Sequence, residues 1–439
     1  MKKAFLLIAS ALAVTAATRG ADLDNWPHWR GPLANGTAPK GDPPLTWDAA
    51  TNIKWKAELP GRGSATPIVW GDRVFVVAAV KTDRVADAND LPKADPKFEK
   101  KTEAPRNFYR FVVLCFDRKG GGLLWKQTAN EAMPHEGHHP THSYAAGSPT
   151  TDGKSLYVSF GSFGIYCYDL AGKPRWQRRD LGRLNTRLGW GEAVTPVVHG
   201  DSLLLNWDQE AGSALICLDA RDGHTKWKAD RDEKTSWNTP VVVEHKGKWQ
   251  VVVNGTNRVR GYDLEGGKEL WQCGGMTVNA IPSVVAGDGV VYCMSGYQGS
   301  SALAISLDAS GDVTDGDKVL WHYGKGTPYV PSPLLAGGRL WFTQTNDNLL
   351  TTLDVKTGKA VIDRGRLPGL KSLYASPVAA AGRVYVVDRE GTTLVLKQGD
   401  KLEVLATNRL NDPVDASPAV AGRQLFLRGE KYLYCIESR

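Results

Sequence analysis

TPVVHGDSLLLNWDQEAGSALICLDARDGHTKW, residues 195–227, reads as two β-hairpins in succession. The first runs from an apolar strand at Pro196 to Val198, through a Gly200-Asp201 turn, into a second strand, a turn dipeptide between β-prone runs. In the second, Asp219 opens a turn that Gly223 can enter with positive φ, and Trp227 ends the returning strand as a large apolar anchor. Four antiparallel strands in about forty residues make one blade of a propeller.

The same pattern recurs along the chain. A Ser/Thr-Pro or equivalent anchor stands at Pro67, Pro149, Pro196, Pro240, Pro282, Pro333, Pro377 and Pro418, which predicts eight blades. From Pro149 onward the anchors lie 41 to 51 residues apart, and the first interval, 82 residues, holds two insertions. Blade-closing tryptophans recur at Trp125, Trp176, Trp227, Trp271 and Trp321, with Ile362 in that place in the sixth repeat. The eighth repeat supplies three strands and then stops at Arg439. Asn52 to Leu59 has the form of the missing strand, with Trp55 about twelve residues before Pro67, as a closing tryptophan would be. The expected fold is therefore an all-β, eight-bladed propeller over residues 52–439, closed by an N-terminal strand that protects an otherwise open sheet edge.

These repeats resemble the PQQ-type (pyrroloquinoline quinone) propeller family, whose motif runs Ala-x-Asp-x-x-Thr-Gly-Lys-x-x-Trp. Asp117 to Trp125, Asp219 to Trp227 and Asp263 to Trp271 keep its spacing, Thr357-Gly358-Lys359 repeats its central triplet, and Asp169 to Trp176 is one residue short. The resemblance covers residues 52–439. The repeat serves both quinoprotein dehydrogenases and the non-enzymatic outer-membrane assembly factor BamB, so the fold does not decide the function.

The start of the chain, MKKAFLLIASALAVTAATRGA, has Lys2 and Lys3, an apolar run from Ala4 to Val14 and small residues from Ala16 to Ala21. This is the pattern of a secretory signal peptide, taken here as residues 1–20. The apolar run is too short for a membrane span, and no cysteine precedes Cys115 to carry a lipid. A soluble, monomeric, periplasmic or secreted protein without a lipid anchor is expected, which departs from BamB, a lipoprotein. Removing Lys2, Lys3 and Arg19 takes the formal charge from +7 to +4. With no basic run interleaved with aromatics, this balance gives no nucleic-acid signal. Residues 21–51, rich in Trp, Pro and Gly, should form an extended arm over the propeller, with Trp26, Trp29 and Trp47 as packing anchors.

Six cysteines in an exported chain raise the question of disulfides. Cys115, Cys167, Cys217 and Cys435 all stand two residues before a turn acid, where other blades carry Gly261, Ser306 and Thr352. They are expected to be small buried residues in four blades, too far apart to bridge. Cys273 and Cys293 are read as lying in one blade, where they could meet.

Insertions at residues 80–110 and 126–146 fall on connections that share one rim, and loops on a rigid scaffold carry function. The second holds MPHEGHHPTHSYAAGSP, with His135, Glu136, His138, His139 and His142. These side chains are candidates for ligand recognition or for a metal, although Gly137 and Pro140 break any helix-borne metal motif; the plain alternative is a polar rim loop bonded to its neighbours. Two rings of residues precede the anchors. The inner is small: Thr66, Ser148, Thr195, Thr239, Ile281, Ser332, Ser376 and Ser417. The outer is mixed: Ser64, Ala146, Ala193, Trp237, Asn279, Val330, Tyr374 and Asp415, with Glu192 beside it and Trp190, Trp207, Tyr297 and Tyr329 in flanking loops. An aromatic-lined mouth with acids and amides suits a planar or sugar-like ligand; a packed plug of aromatics is the alternative.

Two functions follow. One is a non-catalytic module that binds a protein partner or small ligand through the loop-rich face. The other, implied by the resemblance, is a dehydrogenase using pyrroloquinoline quinone and calcium on an alcohol or aldose; read from the residues themselves, Asp415, Asn279 and Glu192 are candidates for an oxygen-ligand site for a hard cation. Family dehydrogenases carry a vicinal cysteine pair against the quinone, and no two cysteines are adjacent here. That favours the binding module.

Overall fold

The computed structural model describes residues 23–87, 91 and 97–438; the expected signal peptide lies outside them. Eight sheets, each with four antiparallel strands as its body, form the ring. In the third blade Val197–His199, Ser202–Trp207, Ser213–Asp219 and Thr225–Arg231 are the four strands, from the axis outward, as read from the sequence. The ring closes as expected: Ile53–Glu58 pairs antiparallel with Tyr432–Ile436, Trp55 opposite Cys435.

The motif spacing has a physical cause at the blade boundaries. Each closing tryptophan reaches sideways and donates its indole N–H to the residue after the next blade's turn acid: Trp55 to Arg118 O (2.9 Å), Trp125 to Leu170 O (3.1 Å), Trp176 to Ala220 O (3.0 Å) and Trp227 to Leu264 O (3.0 Å). The turn glycine of that next blade lies flat on the indole. Gly223, at φ 81°, would place a Cβ 2.6 Å from the Trp176 ring, so both the backbone twist and the close approach demand glycine there. Trp271 is the exception and donates to Gln250 within its own blade.

The seventh repeat has Ala406 at the tryptophan position, opposite Val395. Blade five corrects two sequence assignments. Its inner strand is Val285–Gly287, so the anchor position belongs to Val284 rather than Pro282, and the ring residue is Ser283 rather than Ile281. Its turn is also longer. Ser306 donates its N–H to Lys318 O as Asp219 does to His224 O, so Ser306 holds the turn acid's place and Ala304, opposite Trp321, is the residue matching Cys217. The extra length lets Gly311–Asp312 add a fifth strand to blade four.

All six cysteines are free and buried. Cys115, Cys167, Cys217 and Cys435 each face a closing tryptophan in four different blades. Cys273 and Cys293, by contrast, occupy blades four and five, because Cys273 ends an outer strand and Cys293 sits in the second strand of the next sheet.

The arm does more than drape over the ring. Trp26 pairs with Val69 of blade one, Pro27 O accepts Thr151 N–H of blade two (3.0 Å), and Thr37–Ala38 pairs with Val378–Ala380 of blade seven. It therefore crosses from one side of the ring to the other along the inner strands. Trp26 and Trp47 are core residues.

Candidate functional site

The crossing arm turns the central channel into a cup of about 370 Å³. Both residue rings line it, from Thr66 and Ser148 to Ser376 and Ser417 in the small ring, and Ser64, Trp237, Val330, Tyr374 and Asp415 in the wider one. In blade five the lining residues are Ile281 and Ser283, two positions beyond the sequence-based pair. Asn279 is displaced from the cup by that shift. It is 1% exposed at φ 58°, and neither side-chain amide atom has a hydrogen-bond partner.

Six links stitch the small ring together: the backbone N–H of one blade donates to the hydroxyl of the next. Thr66 donates to Ser148 (2.9 Å), Ser148 to Thr195 (3.0 Å), Thr239 to Ser283 (2.7 Å), Ser283 to Ser332, Ser332 to Ser376 and Ser376 to Ser417 (each 2.9 Å). Small hydroxyl residues are required because the strands converge, and because each N–H just before an anchor would otherwise be buried unpaired.

The wall is aromatic on one side. Trp190 stacks on Trp237 (6.5 Å between ring centroids) and meets Tyr297 edge-on, and Tyr297 stacks on Tyr329 at 4.7 Å. The Trp237 indole donates to Gly191 O (2.7 Å), which fixes the ring. Opposite, Arg389 lies 4.3 Å over the Tyr374 ring and donates to Asp415 at 2.6 Å, while the Tyr374 hydroxyl meets Thr141 Oγ1 at 3.0 Å. Trp29 of the arm also lines the cup, so it is more than a packing anchor. Trp207 does not line it; it is 3% exposed, in the core between blades.

The histidine loop divides. His139 and His142 line the cup. His142, fixed by Glu192 O at 3.0 Å, is pulled down to about 4 by burial with His138 beside it, so it is neutral at pH 7. His138 packs edge-on against Tyr144. His135 and Glu136 line a neighbouring chamber of about 20 Å³, room for one water or ion, together with Glu192. Ligand atoms of these three lie within 4.8 Å of one another. Lys100 already supplies the positive charge there, 2.5 Å from Glu136, and the Thr186 hydroxyl donates to the same carboxylate. Glu192 accepts Ser162 N–H (2.7 Å), and burial pushes its carboxyl up to about 8.

The calcium set is not assembled. Asp415 is held by Arg389, Glu192 faces the small chamber beside His135, and Asn279 stands outside the cup near Tyr329. Three oxygen ligands that share no cavity do not form the six- to eight-oxygen shell that calcium takes.

Sequence reading missed Trp29, Thr141 and Arg389. Trp29 carries no local signal, because only the path of the arm brings it to the axis. Arg389 was recoverable as the cation opposite Asp415, had the seventh and eighth blades been set side by side.

Comparison with known proteins agrees with this architecture. The family model described as outer membrane protein assembly factor BamB matches residues 110–362. The crystal structure of BamB from Moraxella catarrhalis superposes with a TM-score of 0.53 at 13% identity, covering 82% of this chain and 99% of that one. The computationally designed Ika8 protein gives 0.51 at 12% identity, covering 77% and 98%. Quinohemoprotein alcohol dehydrogenase from Comamonas testosteroni gives 0.49 at 12% identity, covering 95% and 81%. No curated protein matches. Among the described residues no helix is long and apolar enough to cross a membrane.

Proposed function

This chain belongs to the family described as outer membrane protein assembly factor BamB, and from that premise we propose that it is an exported, non-catalytic propeller whose cup binds a ligand with a sugar-like ring. The observation that carries this is the fixed aromatic wall of Trp190, Trp237, Tyr297 and Tyr329, facing hydroxyls across a cup of about 370 Å³. Aromatic faces take the apolar face of a sugar ring, hydroxyls and the Arg389–Asp415 pair take its edge, and the volume lies in the range of small-molecule sites. The His139–Thr141 contact at 2.7 Å is local to one turn, and among the described residues no carboxylate pairs with His139, so the pair lacks the orienting third group of an activated nucleophile.

Titration calorimetry with neutral and acidic mono- and oligosaccharides, read alongside tryptophan fluorescence, tests the proposal. Binding that is lost in Trp237→Ala is expected; a panel with no binder at millimolar concentration sinks it. A second reading, a protein docked on the same rim, is favoured by the family's description as an assembly factor. It predicts a partner captured by cross-linkers placed on the rim loop of residues 133–146, whose yield saturating sugar does not change.

A further inference from the structure

We infer that the floor of this cup is an oxyanion site, holding the carboxylate or sulfate group of an acidic sugar; this rests on the ring-binding reading above. The first observation is the direction of the hydrogen bonds in the small ring. Ser148, Thr195, Ser283, Ser332, Ser376 and Ser417 each accept a backbone N–H from the preceding blade. A hydroxyl that accepts keeps its own proton to donate. Among the described residues none of these six donates to a protein acceptor, and all six line the cup. The floor therefore offers a circle of O–H donors, which an acceptor-rich group satisfies and a donor-rich group does not.

The second observation is charge. Arg30 is 1% exposed, and its guanidinium donates to Pro377 O (3.0 Å) and Pro333 O (2.7 Å), the residues directly after Ser376 and Ser332. Arg428, also 1% exposed, donates to Ala65 O (3.2 Å), directly before Thr66, while its Nε and Nη2 have no partner. Neither makes an ion pair among the described residues. Other buried arginines do, as Arg231 does with Asp208 (2.8 Å) and Arg260 with Glu233 (3.0 Å). Burial draws both unpaired guanidiniums down to about 9, the direction expected of cations without a counter-ion. The acids nearby do not cancel them. Asp415 is matched by Arg389, Glu136 by Lys100, and Glu192 is largely protonated at neutral pH. Two uncompensated charges one peptide from the hydroxyl circle, screened by little water, make the floor positive.

Calorimetry with galacturonate, its methyl ester, galactose 6-sulfate and galactose separates the parts. The expected result is that the carboxylate or the sulfate ester binds about tenfold more tightly than its neutral counterpart, an advantage that shrinks as salt rises. Which of the two leads identifies the source of the oxyanion. Arg428→Gln, which removes one of the two charges, should shrink the advantage while leaving the methyl ester's affinity unchanged. Ser332→Ala combined with Ser376→Ala, which removes two donors and no charge, should reduce it even if the arginine variant fails to fold. Equal affinity for the acid and its ester overturns the oxyanion site and leaves the ring-binding cup standing. If no sugar binds, the cup reading falls, and sulfate against chloride at equal ionic strength decides the oxyanion site. A melting temperature raised by sulfate in the natural protein but not in the serine variant supports it, and equal shifts overturn it.

Discussion

Trp55→Ala should weaken the protein at one place, the seam where the two ends of the chain meet. Trp55 is 8% exposed, packs against Phe426 (5.9 Å between centroids), donates to Arg118 O and lies under Gly121 of blade one. It therefore joins the last blade to the first. Burying a tryptophan removes about 200 Å² from water, which at about 25 cal/mol per Å² gives an upper bound near 5 kcal/mol. Measured truncations of buried aromatics fall at about 3–5 kcal/mol, with the lost hydrogen bond included. Unfolding entropy of about 2.1 cal/mol/K per residue over this chain converts about 4 kcal/mol into a drop of roughly 4–5 °C, if the ring melts as one unit. Differential scanning calorimetry at fixed scan rate, with Trp227→Ala as the mid-ring reference, is the assay. A shift under 1 °C, with the reference variant behaving as expected, would refute the claim that this indole holds the seam.

Gly223→Ala should cost about 1–3 kcal/mol, since the residue sits at φ 81° with its would-be Cβ 2.6 Å from Trp176; a thermal melt checks it, and Gly200→Ala, with open space around it, should cost only its backbone strain. Removing residues 21–58 takes away the seam strand and the channel-crossing arm, so the truncated chain should melt far below the intact one, unlike the loss of a loose tail. Glu192→Gln probes the small chamber. A carboxyl raised from 4.5 to about 8 favours folding most at low pH, and its contribution falls as pH rises between those values. The glutamine variant should therefore gain on the natural protein from pH 5 to pH 8, by one to a few kcal/mol in urea titrations, and no further above; parallel pH profiles would show that Glu192 is not held protonated.

Much of this molecule was legible because its information is periodic. The turn acid, glycine and tryptophan recur at fixed spacing since each must meet the same features of the next blade, so blade number, seam and the equivalence of four cysteines could be counted. Errors arose where periodicity was interrupted. In blade five Pro282 looks like an anchor, yet the inner strand begins two residues later than that reading implies, which moved Asn279 off the cup and brought in Ser283. The candidate site was half visible. Both rings could be written down, but which histidines share a cavity depends on how the connection of residues 133–149 folds, which is shorter than the expected 126–146 because Leu123–Ala132 is strand: His139 and His142 turn to the cup, His135 and Glu136 to the chamber. Nothing local in the sequence distinguishes them. Trp29 and Arg30 come from the segment with least pattern, and their place follows from hydrogen bonds to blades more than three hundred residues away.

The seam also sets the order in which the chain can finish folding. Ile53–Glu58 precedes its partner, Tyr432–Ile436, by the length of seven blades, so the first strand must stay unpaired while those blades assemble. Contacts of such long sequence separation form slowly, because the loop entropy is lost before any pairing compensates it. Throughout that interval the nascent chain presents an unpaired β-edge and the arm's bare tryptophans, the surfaces on which another chain can add. Refolding should accordingly be limited by ring closure, with a yield that falls as protein concentration rises.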